Sequence, residues 1–86
     1  MNKIRRDIDK IDDKIFKLLK TRLSKAKKIA ELKKYMKVKV SDEEREKEIL
    51  GKLNCEEYNA YKPQIEQIYL EIFKQMKELE LGNTDN

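Results

Sequence analysis

The sequence predicts an all-α protein with three helices per chain, one long N-terminal helix and two shorter ones. The chain has only two glycines and one proline among 86 residues, so it offers few turns. Its apolar residues recur at steps of three and four, which is the period of one helix face. A domain of this size buries only roughly 60–65% of its unfolded surface, so a single copy has a small interior.

The first predicted helix runs from about Lys3 to about Met36 without an internal glycine or proline. Its apolar stripe consists of Ile4, Ile8, Ile11, Ile15, Leu18, Ile29, Leu32 and Met36. Such a helix is ~50 Å long, whereas a compact domain of this length has a radius of gyration of ~12 Å. The helix must therefore overhang its own domain, and we expect a second copy to cover the stripe in a symmetric dimer.

The second predicted helix follows a short connector at Lys37 to Val40. Ser41 and Glu44 have the spacing of a capping box, so we expect the helix to begin at Ser41 and to fade near Asn54. Its inward side chains are predicted to be Ile49, Leu50 and Leu53.

The third predicted helix follows a loop that contains Cys55, Asn59 and Tyr61. Pro63 suits the first turn of this helix, and Gly82 is expected to end it. Its apolar stripe is Ile65, Ile68, Tyr69, Ile72, Phe73, Met76 and Leu79. A polar tail is predicted at 83–86, and residues 1–86 are expected to form a single domain.

Composition excludes several kinds of site. The chain has no histidine, and its one cysteine, Cys55, permits neither an internal disulfide nor a cysteine zinc site. The net charge is +4, but acids are mixed with the bases. The lysine-rich segment 25–39 has one aromatic residue and no arginine, which argues against nucleic acid as a partner. No apolar run resembles a signal peptide or a membrane span, so we expect a cytoplasmic protein without a membrane partner.

Charged residues lie on the predicted apolar stripes. They are Arg22 and Lys33 in the first helix, Asp42, Arg45 and Glu46 in the second, and Glu80 in the third. Arg22 and Lys33 are eleven residues apart (33 − 22), which returns to within ~20° of the same helix face. Burying charges is unfavourable unless something pairs with them, so this set could line a pocket for a small polyanionic, hydroxylated ligand.

Each charged group also has a simpler interpretation. The two cations of the first helix reach solvent or pair with acids. Asp42 and Arg45 form an exposed pair in a first turn, and Glu80 lies in an exposed last turn. Arg5 adds a constraint, because it lies ~25 Å from Arg22 along one helix. An antiparallel second copy could bring Arg5 of one chain to Arg22 of the other.

The pattern resembles the all-helical chorismate mutases. The resemblance spans Ile4 to about Leu81. Its motifs are I-R-x-x-I-D-x-I-D-x-x-I-x-x-L-L-x-x-R from Ile4 to Arg22, then Ala26, Ile29 and Lys33, then D-x-x-R-E from Asp42 to Glu46. It implies an intertwined homodimer with antiparallel first helices and two sites. It also implies conversion of chorismate to prephenate, a Claisen rearrangement on the route to phenylalanine and tyrosine, without a cofactor.

The resemblance assigns roles by matched position. Arg22 and the partner's Arg5 would hold the two carboxylates of the substrate. Lys33 would donate to the ether oxygen, and Glu46 would accept from the ring hydroxyl. Two further matched positions would complete the polar wall: Asp42 and Arg45.

Two positions depart from the usual pattern of the family. The third helix commonly has a small polar residue followed four positions later by glutamine, whereas this chain has Met76 and Glu80. Met76 cannot replace a hydroxyl or amide contact. An ionised Glu80 would repel the developing negative charge on the ether oxygen, whereas a protonated Glu80 could donate a hydrogen bond. We therefore expect activity to rise as pH falls.

Alternative functions remain open at this point. The nearest is a lyase of the same fold that removes pyruvate from isochorismate in a similar cationic pocket. A non-catalytic helical dimerisation or regulatory module is a second alternative, for which Met76 is the best support. A nucleic-acid-binding dimer is a third, although the chain lacks the signature of a recognition helix.

Overall fold

The computed structural model describes residues 1–36 and 43–85, with side chains described up to residue 82. Its elements are α1 (Asn2–Met36), α2 (Glu43–Gly51), a 3₁₀ helix (Glu56–Tyr61) and α3 (Lys62–Asp85). No strand occurs within these ranges, so the prediction of an all-α chain with one long and two shorter α-helices is confirmed. In the same ranges, no helix combines the length and the apolarity that a membrane crossing requires.

The long helix α1 gives the molecule its elongated shape, with dimensions of 50 × 28 × 14 Å. Its buried residues are Ala26 and Ala30, both in the C-terminal half, where small side chains let α3 approach closely. Large apolar side chains of the N-terminal half are exposed in a single chain: Ile4, Ile8, Ile11, Ile15, Phe16 and Leu18. The structure therefore has the overhang that the helix length predicts.

The segment around α2 agrees with the expected fading of this helix. Helix α2 ends at Gly51. After it, the amides of residues 52–54 donate to carbonyls three residues earlier, so the chain stays tightly turned as far as Asn54. Ile49 and Leu50 are half-buried and Leu53 is buried, as their spacing predicts. The predicted connector at 37–40, the Ser41 cap and Asp42 lie outside the described residues.

Two expectations for the C-terminal half were wrong. The predicted loop after Asn54 contains a 3₁₀ helix, which begins where the Tyr58 amide donates to the Cys55 carbonyl at 3.3 Å. Helix α3 does not end at Gly82 but continues to Asp85, so the predicted tail at 83–86 is partly helical. A glycine inside a helix is less favourable than alanine by only roughly 0.5–1 kcal/mol, which a continuing helix tolerates. Pro63 lies in the first turn of α3, as predicted.

The interior is small, as the chain length predicts. The buried apolar residues are Ala26, Ala30, Leu53 and Phe73, and Glu80 is buried beside them. Ile68 was predicted on the buried stripe of α3 but is 61% exposed in the single chain. Phe73 is the largest buried apolar side chain among the described residues, and its ring packs edge-to-face on Tyr69 with the centroids 5.7 Å apart.

Replacement of Phe73 by alanine is expected to lower the free energy of unfolding by about 3–5 kcal/mol, because the small core cannot close over the cavity. Urea unfolding followed by circular dichroism, at a fixed protein concentration, measures this change. A loss below about 1 kcal/mol would contradict the central place of Phe73 in the core.

Candidate functional site

An open cleft of about 140 Å³ lies between the C-terminal half of α1, helix α2 and helix α3. It is lined by Arg22, Ile29, Lys33, Arg45, Glu46, Ile49, Phe73, Met76, Lys77 and Glu80. Six of the eight predicted site residues are therefore brought together. Of the other two, Asp42 lies outside the described residues, and Arg5 is exposed on the overhanging part of α1.

Helix α1 carries Arg22 and Lys33 to this cleft, three turns apart on one face. The Arg22 guanidinium carbon lies 5.5 Å from the centroid of the Tyr69 ring, a cation–π contact with α3. Its Nε is buried and has no hydrogen-bond partner among the described residues. An unsatisfied buried donor is unfavourable, so this guanidinium is suited to an anionic ligand. The interpretation of Arg22 as a purely solvent-directed side chain is therefore wrong.

Glu80 is the one charged residue that is buried within the described ranges, with 6% of its surface exposed. The interpretation of Glu80 as part of an exposed last turn is thus wrong. Burial raises the pKa of its carboxyl above the ordinary value, and the positive charges of Lys33 and Lys77 oppose that rise. Its Oε2 has no hydrogen-bond partner in the described part of the chain. The group can therefore take up a proton and donate it in a hydrogen bond to a ligand.

Helix α2 presents Arg45 and Glu46 at the opposite wall. Arg45 donates from Nη1 to Oε2 of Glu48 at 3.0 Å, on an exposed surface of the same helix. Glu46 forms an ion pair with Lys77 of α3, with 3.1 Å between Oε2 and Nζ. This pair links the two helices on the edge of the cleft.

Lys77 is the charged residue of the cleft that the sequence reasoning missed. A signal was present, because Lys77 is four residues after Phe73 and three before Glu80, which places all of them on one face of α3. Met76, beside it, is half-buried and lines the cleft with a thioether rather than a hydroxyl or an amide.

The charges of the cleft suit an anionic ligand. Four cations (Arg22, Lys33, Arg45 and Lys77) and two acids (Glu46 and Glu80) give a net charge of +2 when all are ionised. The apolar floor consists of Ile29, Ile49, Phe73 and Met76. In residues 1–36 and 43–85, no three cysteine or carboxylate side chains converge as a metal site would require. The arrangement supplies fixed charges and hydrogen-bond donors, which can orient a ligand and stabilise negative charge on it.

Comparisons with known proteins match the chain to one family. The family model for chorismate mutase type II matches residues 4–81. A chorismate mutase of Methanocaldococcus jannaschii is 39% identical over 88 aligned positions, which cover 96% of this chain and 89% of that protein. A bifunctional chorismate mutase/prephenate dehydratase of Aquifex aeolicus is 38% identical over 85 positions, covering 93% of this chain but 24% of that protein. No solved structure gives a significant match. The chain belongs to the chorismate mutase type II family.

Proposed function

We propose that the cleft binds chorismate and rearranges it to prephenate, so that the chain acts as an isomerase without a cofactor. The observation that carries this proposal is the convergence of four cations and two acids around one apolar floor. In the reaction an ether C–O bond breaks while a C–C bond forms within one molecule, so no nucleophile or proton shuttle is needed. A protein need only select the compact conformer and stabilise the charge that develops on the ether oxygen.

Arg22 and Lys33 are proposed to act on the substrate from α1. The Arg22 guanidinium can hold a carboxylate with two parallel hydrogen bonds, and its position over Tyr69 keeps it in place. The Lys33 ammonium is proposed to donate to the ether oxygen, where negative charge grows as the bond breaks. A donor aimed at developing charge in a water-poor site typically lowers a barrier by a few kcal/mol.

The other walls are proposed to fix the ring of the substrate. Glu46 accepts from its hydroxyl group, and Arg45 extends the polar wall. The role of Asp42 in this wall is proposed from its matched position in the sequence alone. Protonated Glu80 is proposed to donate to the ether oxygen as well. Met76 supplies an apolar contact, so one polar contact with the substrate is absent from this site.

A homodimer is proposed because α1 exposes a continuous apolar stripe that a single chain does not cover. Arg5 lies ~25 Å from Arg22 along this helix, so it does not reach the cleft of its own chain. In an antiparallel pair of α1 helices, the partner's Arg5 would reach the cleft and hold the second carboxylate. The site would then be complete only in the dimer.

A mixing experiment tests this shared site. The variants Arg5→Ala and Arg22→Ala are each expected to be nearly inactive alone. Random exchange of subunits, by mild urea treatment and dialysis, makes half of the dimers mixed, each with one intact site. About a quarter of the wild-type activity should therefore return. A mixture that stays as inactive as its components would show that Arg5 and Arg22 do not serve one site from two chains.

The described helices are proposed to form one domain that works in the cytoplasm. Cys55 is an exposed free thiol, which is typical of a reducing compartment.

Product analysis tests the proposed reaction against the lyase alternative. The purified chain is incubated separately with chorismate and with isochorismate, and prephenate and pyruvate are quantified. We expect prephenate from chorismate, with little pyruvate from isochorismate. Faster release of pyruvate from isochorismate would assign the cleft to the lyase reaction instead.

A further inference from the structure

An ion pair between α2 and α3 stands at the edge of the cleft and has no role in the mechanism above. Lys77 Nζ lies 3.1 Å from Glu46 Oε2, and the two side chains are 38% and 24% exposed. Both residues line the cleft itself. The pair is therefore close enough to a bound ligand to affect how Glu46 meets it.

Helix α2 depends on such contacts for its position. It has nine residues, none of them fully buried, whereas an isolated helix shorter than about 12–15 residues is marginal in water. Its placement against α3 must therefore come from tertiary contacts. The ion pair from Lys77 acts on Glu46, the residue that α2 is proposed to offer to the substrate.

We propose that Lys77 is a positioning residue of the cleft, which holds one oxygen of the Glu46 carboxylate so that the other faces the ring hydroxyl of the substrate. The inference rests on the proposed function and extends it to a residue outside the matched motifs. An ionised carboxylate has two oxygens and about four acceptor sites, so a bond from Lys77 to Oε2 is compatible with a second bond at Oε1. The same contact holds the Glu46 carboxylate in one orientation.

Lys77 also faces Glu80, one turn further along α3. The other charged groups around Glu80 are Lys33 and Arg22 on α1, and Arg45 and Glu46 on α2. The positive charge of Lys77 opposes the rise in the pKa of the Glu80 carboxyl that burial causes. Removal of this charge should therefore let Glu80 keep its proton to a higher pH.

The variant Lys77→Met, which keeps the apolar stem and removes the charge, tests the proposal in the full-length chain. We expect kcat/KM for chorismate to fall by about tenfold, mainly through a higher KM, because the contact with Glu46 exists before and during the reaction. In a Glu46→Gln background the same change should raise KM little further, since the group to be positioned is gone. Lys77→Arg should restore most of the lost activity. The matched control is Lys74→Met, the same substitution at an exposed position of α3.

The double-variant comparison tests the positioning of Glu46, and the pH dependence separates an electrostatic role of Lys77 from a merely structural one. In Lys77→Met the pH at which activity is half lost should move upward, whereas a helix tether without electrostatic influence would leave it in place. Circular dichroism verifies folding, and Lys77→Gln replaces the methionine variant if that variant does not fold. If the wild type is active and Lys77→Met has the same KM and pH profile as Lys74→Met, this inference is overturned and the proposed function stands. A wild type that rearranges no chorismate would overturn the proposed function, and this inference with it.

Discussion

Replacement of Arg22 by alanine is expected to lower kcat/KM for chorismate by about 10²–10³-fold. Arg22 lies on the wall of the cleft, its guanidinium is held over Tyr69, and its buried Nε has no hydrogen-bond partner among the described residues. Because this Nε forms no hydrogen bond within the described residues, it can donate to a carboxylate without breaking an existing hydrogen bond. Its loss removes both the positive charge and the group that orients the substrate, so KM should rise and kcat should fall.

Steady-state kinetics followed by the ultraviolet absorbance of chorismate measures this effect. Lys28→Ala serves as the matched control, because Lys28 is an exposed cation on the same helix and does not line the cleft. Arg22→Lys should recover only part of the activity, since an ammonium group cannot form the paired hydrogen bonds of a guanidinium. An Arg22→Ala variant that is folded and within about threefold of the control would remove Arg22 from the site.

Activity is expected to fall as pH rises through the pKa of Glu80, by up to about tenfold for each pH unit above it. Burial raises this pKa from the usual value of 4.5, against the opposing charges of Lys33 and Lys77. Below the raised pKa the carboxyl is protonated and can donate to the ether oxygen. Above it, the carboxylate repels the charge that develops there, so the decline follows ionisation of Glu80.

The variant Glu80→Gln should flatten the profile, because an amide donates at every pH. It should match the wild type at low pH and exceed it at high pH, while Glu78→Gln, at an exposed position, keeps the wild-type profile. Stability gives a second readout. A raised pKa means that the folded state binds this proton more tightly than the unfolded state, so stability is lost as pH rises through the folded-state value. Glu80→Gln should therefore raise Tm near neutral pH and change it little in acid. A wild-type activity profile that is flat between about pH 5 and about pH 8 would contradict the placement of Glu80.

Much of the fold could be predicted from the helical period alone. The bounds of α1 follow from apolar residues that recur at helical spacing in a segment without glycine or proline, and Pro63 marks the first turn of α3. The end of α3 could not be predicted from Gly82. A glycine inside a helix is less favourable than alanine by only roughly 0.5–1 kcal/mol, so the helix can continue through it. The 3₁₀ helix depends on local i to i−3 hydrogen bonds, which leave no periodic apolar signal in so short a segment.

The candidate site was predictable where charges interrupt an apolar stripe, as Arg22, Lys33 and Glu80 do. Spacing could not decide whether Glu80 is buried or exposed, because that depends on how α3 packs against α1. The position of Lys77 in the cleft could not be predicted either, because it too depends on how the helices pack. In a chain with 21 basic residues, a lysine on α3 is not distinctive until the structure shows that it pairs with Glu46 on another helix.

The most direct test of the central claim is the rate at which the purified chain consumes chorismate. The absorbance of chorismate should decline in proportion to enzyme concentration, fastest at the acidic end of the range from about pH 5 to about pH 8, with prephenate as the product. Lys28→Ala should behave as the wild type. No loss of chorismate above the uncatalysed rate at any pH in this range would contradict the assignment of the cleft as a chorismate mutase site.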